Sequence, residues 1–467
     1  MAVRSRIVII GAGPTGLGAA YELQRLGFDD WALYEREDVV GGLARSFHDG
    51  HGFTWDVGVH VTHSHYDAFS DVLDNLWDAS GWIHHERRSW VRVLDTWVPY
   101  PFQYNLHRLP PDACEACLAG LERAAGEASA RAFRDFDDFI VRTFGEGVAE
   151  LFMRPYNRKI WACDPSEMAA GWIADRVPVP DAERVRRNVE LRRDDTGWGP
   201  NNTFRFPARG GTGAIWQAVA AKLPAEKLHL GCEVVRLDAD SHTLTLTGGS
   251  RVPYDTLISS IPLDQLARIS GRPAWIDLAS RLAHTSTHVI GVALEGTAPA
   301  ELETKCWVYC PEDNCPFYRV THFSLYSPHN VDDAARHWSV ICEVAESPER
   351  RVDAETVADD CIRGLVASGM IDSAERVHHT WMRRFEYGYP TPTLGRDEVL
   401  GALLPELAQA GVLSRGRFGA WKYEVGNMDH SFMQGVEAAR HVAQGTEEVT
   451  VWNPALVNTG KSPTRNG

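Results

Sequence analysis

The chain has 467 residues, too many for one ordinary compact domain, so two or three units sharing a large core are expected. Its 44% hydrophobic and 24% charged residues are those of a folded, soluble protein and exclude a disordered or collagen-like one; no apolar run approaches the roughly 20 residues that cross a bilayer. A net charge of −16 repels nucleic acid and anionic membranes at long range, so neither is an expected partner, and any anionic ligand must meet a local positive site.

In chain order, residues 5–35 read strand, glycine turn, helix, strand. Ile7–Ile10 runs into Gly11-Ala12-Gly13-Pro14-Thr15-Gly16, a G-x-G-x-x-G at the mouth of a helix. Gly11 permits the turn, Gly13 lets the backbone approach a pyrophosphate, and Gly16 allows the helix to lie close on the strand, with the helix N-terminal amides facing the phosphates. The next strand, Trp31-Ala32-Leu33-Tyr34, ends at Glu35, where a carboxylate accepts ribose hydroxyls. Around 110–190 the pattern is helical, with Phe136, Phe139, Ile140, Thr143 and Phe144 on one face. His229 to Leu246 and Thr287 to Leu294 alternate or carry β-branched runs, as strands do. A helical pattern returns from Ser431 to Ala443, and the last seven residues read as a polar tail. The fold class expected is α/β, with three parts. They are a Rossmann-like nucleotide-binding domain assembled from 1–80, 205–270 and 410–455, an inserted helical substrate domain at 106–200, and an antiparallel β-sheet domain at 81–105 and 271–409.

The N-terminal segment, Arg4 to Gly11, has no secretory cleavage pattern, so a cytoplasmic location is expected. Only six of the 47 basic residues are lysine; the arginines offer planar forks suited to phosphate. Nine cysteines, including Cys114 and Cys117 at CxxC spacing and the group Cys306, Cys310 and Cys315, lack the second ligand pair of a zinc site. They are expected to be reduced thiols, with no metal.

The segment Glu35-Arg36-Glu37-Asp38-Val39-Val40-Gly41-Gly42-Leu43-Ala44-Arg45 resembles the second fingerprint of the flavoprotein oxidase superfamily. That resemblance implies FAD. Pro207 to Gly213 and the strand around Val234 resemble the superfamily's return to the cofactor domain, and Gly426-Asn427-Met428-Asp429-His430-Ser431 its last cofactor helix. The cofactor set implied comprises Gly11, Gly13, Thr15, Gly16, Glu35, Arg36, Gly42, Leu43, Ala44, Arg45, Gly58, Val59, Val234, Gly426, Asn427, Met428 and Ser431.

Further blocks resemble the UDP-galactopyranose mutases, and most closely their eukaryotic-type branch. They are Trp97 to Gln103, Phe152 to Trp161, Gly199 to Pro207, Cys306 to Tyr309, Pro311 to Arg319, Gly388 to Pro392 and Gly416 to Tyr423, in order over nearly the whole chain. The resemblance implies an isomerase that interconverts UDP-galactopyranose and UDP-galactofuranose with reduced FAD, through an adduct between flavin N5 and the sugar. Carried over residue by residue, Arg176 and Arg319 would grip the diphosphate and Tyr309, Tyr389 and Tyr423 would donate hydroxyls to it. Phe102 would stack on uracil, with Tyr100, Gln103 and Asn157 beside it. Asn201 would face the sugar, and Trp161 would line the pocket. Arg87, Ser89 and Arg417 resemble positions that bind NADPH, which makes NADPH or NADH the expected reductant. Residues 172–180 and 196–204 resemble mobile flaps of the family.

The chain departs from the family in the flavin-facing loop, where Val59 stands for a glycine and His63 for an aromatic residue. His60 keeps the family's histidine. His63 adds a group that titrates near neutral pH, either to assist proton transfer or as a histidine satisfied by backbone. These two positions leave open a mutase for another nucleotide sugar. A flavin oxidase or dehydrogenase of the amine-oxidase type and a non-catalytic nucleotide-sugar binder are the other readings. A homo-oligomer is compatible with the sequence, which specifies no state.

Overall fold

The computed structural model describes residues 6–58, 60–127, 131–173, 179–197 and 202–458. Its nucleotide-binding part is a five-stranded parallel sheet in the order Val412–Ser414, Thr256–Ser259, Ile7–Ile10, Trp31–Tyr34 and Leu228–His229. Three distant stretches of sequence therefore build one sheet. Ile7–Ile10 and Trp31–Tyr34 are buried throughout, as strands covered on both faces must be, and this is why they read as unbroken apolar runs.

Helices Pro14–Arg25 and Met428–Gln444 pack side by side, and glycine makes the approach possible. A Cβ on Gly435 would fall 1.9 Å from the Thr15 carbonyl oxygen, and one on Gly16 1.8 Å from the Gly11 carbonyl oxygen.

A second, seven-stranded sheet runs in the order Val377–Thr391, Ala283–Glu295, His337–Glu346, Arg319–His322, Trp307–Tyr309, Ser89–Val93 and Thr96–Pro99. It is antiparallel except where Trp307–Tyr309 lies parallel to Ser89–Val93, a pairing between segments more than 200 residues apart that no local turn constrains. Its register sets Arg319 directly opposite Glu343.

The helical part contains Pro111–Gly126, Phe136–Val148, Arg154–Trp161 and Ala182–Leu191. Phe136, Phe139, Ile140 and Phe144 are buried as their spacing predicts, each contributing on the order of 2 kcal/mol of apolar burial, while Thr143 is only half-buried. Between the second and third helices, Ala149–Met153 forms a π turn. Pro155 follows it and has no N–H to close an ordinary helical turn. All nine cysteines are free thiols.

Candidate active site

The dinucleotide cradle forms where the first strand meets its helix. Gly13 stands at the N-cap of Pro14–Arg25, so no side chain caps the first-turn amides. The Glu35 carboxylate is fixed by the amides of Ala12 (2.7 Å) and Glu37 (3.0 Å), and still has lone pairs for ribose hydroxyls. Arg45 gives one nitrogen to Glu37 at 3.0 Å, while its Nε is buried without a hydrogen-bond partner. A phosphate oxygen would relieve that cost. Uncapped amides, a braced acid and an orphaned guanidinium nitrogen together fit a pyrophosphate-bridged dinucleotide. Gly42 and Leu43 line the same turn, with Ala44 buried beneath them. Arg36 is exposed and pairs with Glu37 at 3.2 Å. Val234 opens a strand and packs in the apolar core beside Tyr34. Met428 and Ser431 lie in the first turn of helix Met428–Gln444, whose N-cap is Asn427 and whose approach includes Gly426.

Just before the loop expected to face the flavin, Asp56 is fully buried. Its carboxylate accepts from Thr212 Oγ1 at 2.6 Å and from Ser46 Oγ. Burial pushes it up to about 6, against the pull of those hydrogen bonds. Gly58 follows at φ +74°, in the left-handed region. His60 is neutral at physiological pH, because desolvation, and after it the charge of Arg417, pushes it down to about 4. His63 lines the cavity between the helical part and the seven-stranded sheet, its ring 5.4 Å from that of His65. His65 in turn holds Asp429 at 2.7 Å. Burial works against the charge of Asp429, but His430 and His65 hold it well below the usual carboxylate range.

A cavity of about 370 Å³ opens between the helical part and the seven-stranded sheet. On its sheet wall, Arg319 is held by Glu343 in a fork, Nε to Oε1 and Nη2 to Oε2, both at 2.8 Å. Tyr318 donates to the same carboxylate at 2.8 Å. Burial opposes the charge on Arg319, but Glu343 and its neighbours outweigh it and keep the guanidinium fully protonated. Two of its five N–H groups are spent on Glu343; three remain for an anion.

Aromatic rings surround that cation. Tyr309 lies 5.2 Å from both Tyr100 and Tyr156, and Tyr389 lies 5.6 Å from Tyr423. Trp161 and Trp172 meet Tyr423 edge-on at 4.8 and 5.4 Å. Desolvation raises the phenols of Tyr100 and Tyr156, so both stay protonated and able to donate. Arg417 sits over Tyr389 at 4.8 Å and donates to the Gly426 carbonyl at 3.1 Å. Arg87 sits over Tyr100 at 5.6 Å, with Ser89 beside it at 3.5 Å.

The predicted substrate residues do not all stand where the motifs place them. Tyr100, Gln103, Asn157, Trp161, Tyr309, Arg319 and Tyr423 line the cavity. Asn157 donates to the Met153 carbonyl at 2.7 Å and accepts from Trp161 Nε1 at 3.2 Å, so its side chain fixes Trp161 as much as it faces a ligand. Phe102 is a correction: it is fully buried, and its face is taken by Phe152 at 4.8 Å and 26°. Phe152 and Tyr156, stacked at 5.5 Å, take its place on the cavity wall. Val59, Arg176 and Asn201 lie outside the described residues, as do 174–178 and 198–201 of the expected flaps. Sequence reasoning missed Glu343, Phe152, Tyr156, Trp172 and the His65–Asp429 pair. Glu343 carried a signal, a carboxylate inside the apolar run Val340-Ile341-Cys342-Glu343-Val344-Ala345.

A model of flavin-containing amine oxidoreductases matches residues 118–443, and one of NAD(P)-binding Rossmann-like domains residues 9–76. The chain belongs to the flavin-containing amine oxidoreductase family. Within that family its place is narrower. A crystal structure of reduced UDP-galactopyranose mutase is 50% identical, covers 97% of both chains and superimposes with a TM-score of 0.94, so the chain belongs among the UDP-galactopyranose mutases. A curated protein of Klebsiella pneumoniae described as a probable UDP-galactopyranose mutase is 27% identical over 180 residues, 37% of this chain. The chain spans only 45% of that relative's length. Cyclohexylamine oxidase from Brevibacterium oxydans shares the fold alone, at 15% identity over 94% of this chain and 99% of that one, with a TM-score of 0.65. Among the described residues no helix is long and apolar enough to cross a membrane.

Proposed function

We propose that this protein interconverts UDP-galactopyranose and UDP-galactofuranose as an FAD-dependent isomerase, active when the flavin is reduced. The observation that carries the reading is Arg319, braced by Glu343 at the wall of a cavity rich in tyrosine hydroxyls. A sugar diphosphate is released from an anomeric carbon only if its growing charge is met, and a pre-oriented guanidinium with protonated phenols meets it without reorganisation. Reduced FAD, when bound, supplies the nucleophile that replaces the diphosphate at that carbon.

The chain's own residues supply the rest. Gly13, Glu35 and Arg45 hold the dinucleotide. Tyr156 and Phe152 offer the base an aromatic wall, and Gln103 reads its edge. Tyr309, Tyr389 and Tyr423 donate toward the phosphates, and Arg176 and Asn201 complete the sugar end. His60, neutral and beside the flavin loop, can hold or pass a proton at its imidazole, and His63 extends that polar edge. Arg87, Ser89 and Arg417 form the entry for the reductant, NADPH or NADH. The protein works away from membranes and nucleic acid, in the cytoplasm, as a monomer or a homo-oligomer.

The test is incubation of the dithionite-reduced protein with each UDP-galactose isomer and chromatographic separation of the products. Interconversion over many turnovers per reduction is expected. Oxygen uptake in step with substrate would instead identify an oxidase, and turnover of a different nucleotide sugar alone would move the substrate assignment.

A further inference from the structure

At the turn between strands Ser46–His48 and Thr54–Asp56, histidines from three segments gather. They are His51 from the turn itself, His337 from the start of strand His337–Glu346, and His378 and His379 from the start of the edge strand Val377–Thr391. Neighbouring residues on a strand normally face opposite ways. Here the register slips: Ala293 pairs with His379 and Leu294 with Val377, so His378 is the extra residue of a bulge that redirects its side chain. Its ring consequently lies 5.2 Å from that of His379 and 4.7 Å from that of His337. The His51 ring stacks on His379 at 4.2 Å.

His51, His378 and His379 each present a ring nitrogen within 4.8 Å of the other two. We propose that these three residues form a surface site for a late first-row divalent metal ion of the zinc type. A second, independent feature is the arrangement behind His379. Its Nε2 donates to Asp49 Oδ2 at 2.8 Å, which fixes the tautomer and leaves Nδ1 as the lone-pair nitrogen. That Nδ1 is buried and has no hydrogen-bond partner. Asp49 is itself immobilised by the Trp55 indole N–H (2.7 Å) and by the amides of His51 (2.9 Å) and Phe53 (3.0 Å). A carboxylate that orients an imidazole whose other nitrogen is unspent is the outer-shell arrangement of histidine metal sites. Asp332 holds His337 in the same way at 2.7 Å, and His337 supports the His378 ring from behind.

The donor set decides the class of ion. Three imidazoles with water completing a tetrahedron suit zinc, nickel or copper, whereas calcium and magnesium require oxygen. His51 and His378 are exposed, so their rings can turn to meet an ion that the fixed His379 anchors. Such an ion would tie the turn, and through Trp55 and Asp56 the flavin-facing loop, to the edge of the second sheet.

The test uses tag-free, FAD-loaded protein titrated with zinc chloride against a chromogenic chelator, with the melting temperature recorded alongside. One equivalent should bind and raise the melting temperature. The H51Q/H378Q double variant, which alters only exposed rings, should lose at least about 100-fold in zinc affinity together with the thermal shift; Asp49→Asn should lose about 10- to 100-fold. Failure of the wild-type protein to bind zinc overturns the proposal. So does undiminished binding by H51Q/H378Q, which would place the ion elsewhere, for example at His65, Asp429 and His430.

Discussion

Arg319→Ala removes the proposed diphosphate anchor but also strands Glu343, whose side chain is 3% exposed and would be left with the Tyr318 hydroxyl and no countercharge. Breaking a buried pair from one side costs about 3–5 kcal/mol of stability. Activity lost in that variant alone would therefore be ambiguous. The double variant Arg319→Ala/Glu343→Gln separates the two effects, because a neutral amide does not require the missing cation and most of the stability should return. The chemistry should not. If two of the three N–H groups left over by Glu343 bind phosphate oxygens, each charge-assisted bond contributes about 1.5–3 kcal/mol. Their loss lowers kcat/KM by roughly 10²- to 10⁴-fold. Denaturant unfolding and steady-state isomerisation of UDP-galactofuranose, measured on both variants, give the two numbers. A stable double variant with near-normal kcat/KM would show that the diphosphate is held elsewhere, and the central claim about the cavity would fail.

Asp56→Asn should change how stability varies with pH. Asp56 in the fold is raised to about 6, so its contribution is fully present below about pH 4 and is lost as pH rises through 6. The variant should therefore gain on the wild-type protein between pH 4 and 7, by up to about 3 kcal/mol in urea unfolding, and an unchanged difference would contradict the raised value. Phe102→Ala should destabilise by about 3–5 kcal/mol, while Tyr156→Ala should mainly raise KM for the nucleotide sugar; the reverse pattern in melting and kinetics would restore Phe102 to the base. Glu35→Gln should lower FAD affinity, by about 1–2 kcal/mol for weakened hydrogen bonds, read as flavin absorbance retained through gel filtration; full retention would remove Glu35 from the ribose site.

What could be read from the sequence was what short spacing determines. A strand, a glycine turn and a helix N-terminus close within about ten residues, and the close approach of Gly16 to the Gly11 carbonyl admits no other residue, so that part of the fold is written locally. The sheet wall of the cavity is not. Arg319 and Glu343 meet only because two antiparallel strands pair in one register, and the 23 residues of intervening chain carry no sign of it. The misplacement of Phe102 has a similar origin. The 3₁₀ turn Phe102–Tyr104 directs that ring inward, and the π turn at Ala149–Met153 interrupts the regular helical spacing around Phe152, so counting in periods of 3.6 misjudges which ring reaches the cavity. The histidine cluster was hidden for the same reason, since a bulge overrides the alternation that should have separated His378 from His379.

The turns at Phe102–Tyr104 and Ala149–Met153 border the proposed cavity, and some buried polar groups sit with the proposed cofactor and anion residues, while others, such as the Arg396–Glu424 and Arg415–Glu448 pairs, lie elsewhere in the fold. Asp56, Asp429, Glu343 and the Arg45 Nε are each costly in isolation. Asp56 precedes the loop proposed to face the flavin and Asp429 lies in helix Met428–Gln444, Glu343 braces Arg319, and the Arg45 Nε has no hydrogen-bond partner. A fold selected for stability alone would replace such groups with apolar ones at little loss. Where such groups border the proposed sites, binding of cofactor and diphosphate is what would offset their cost.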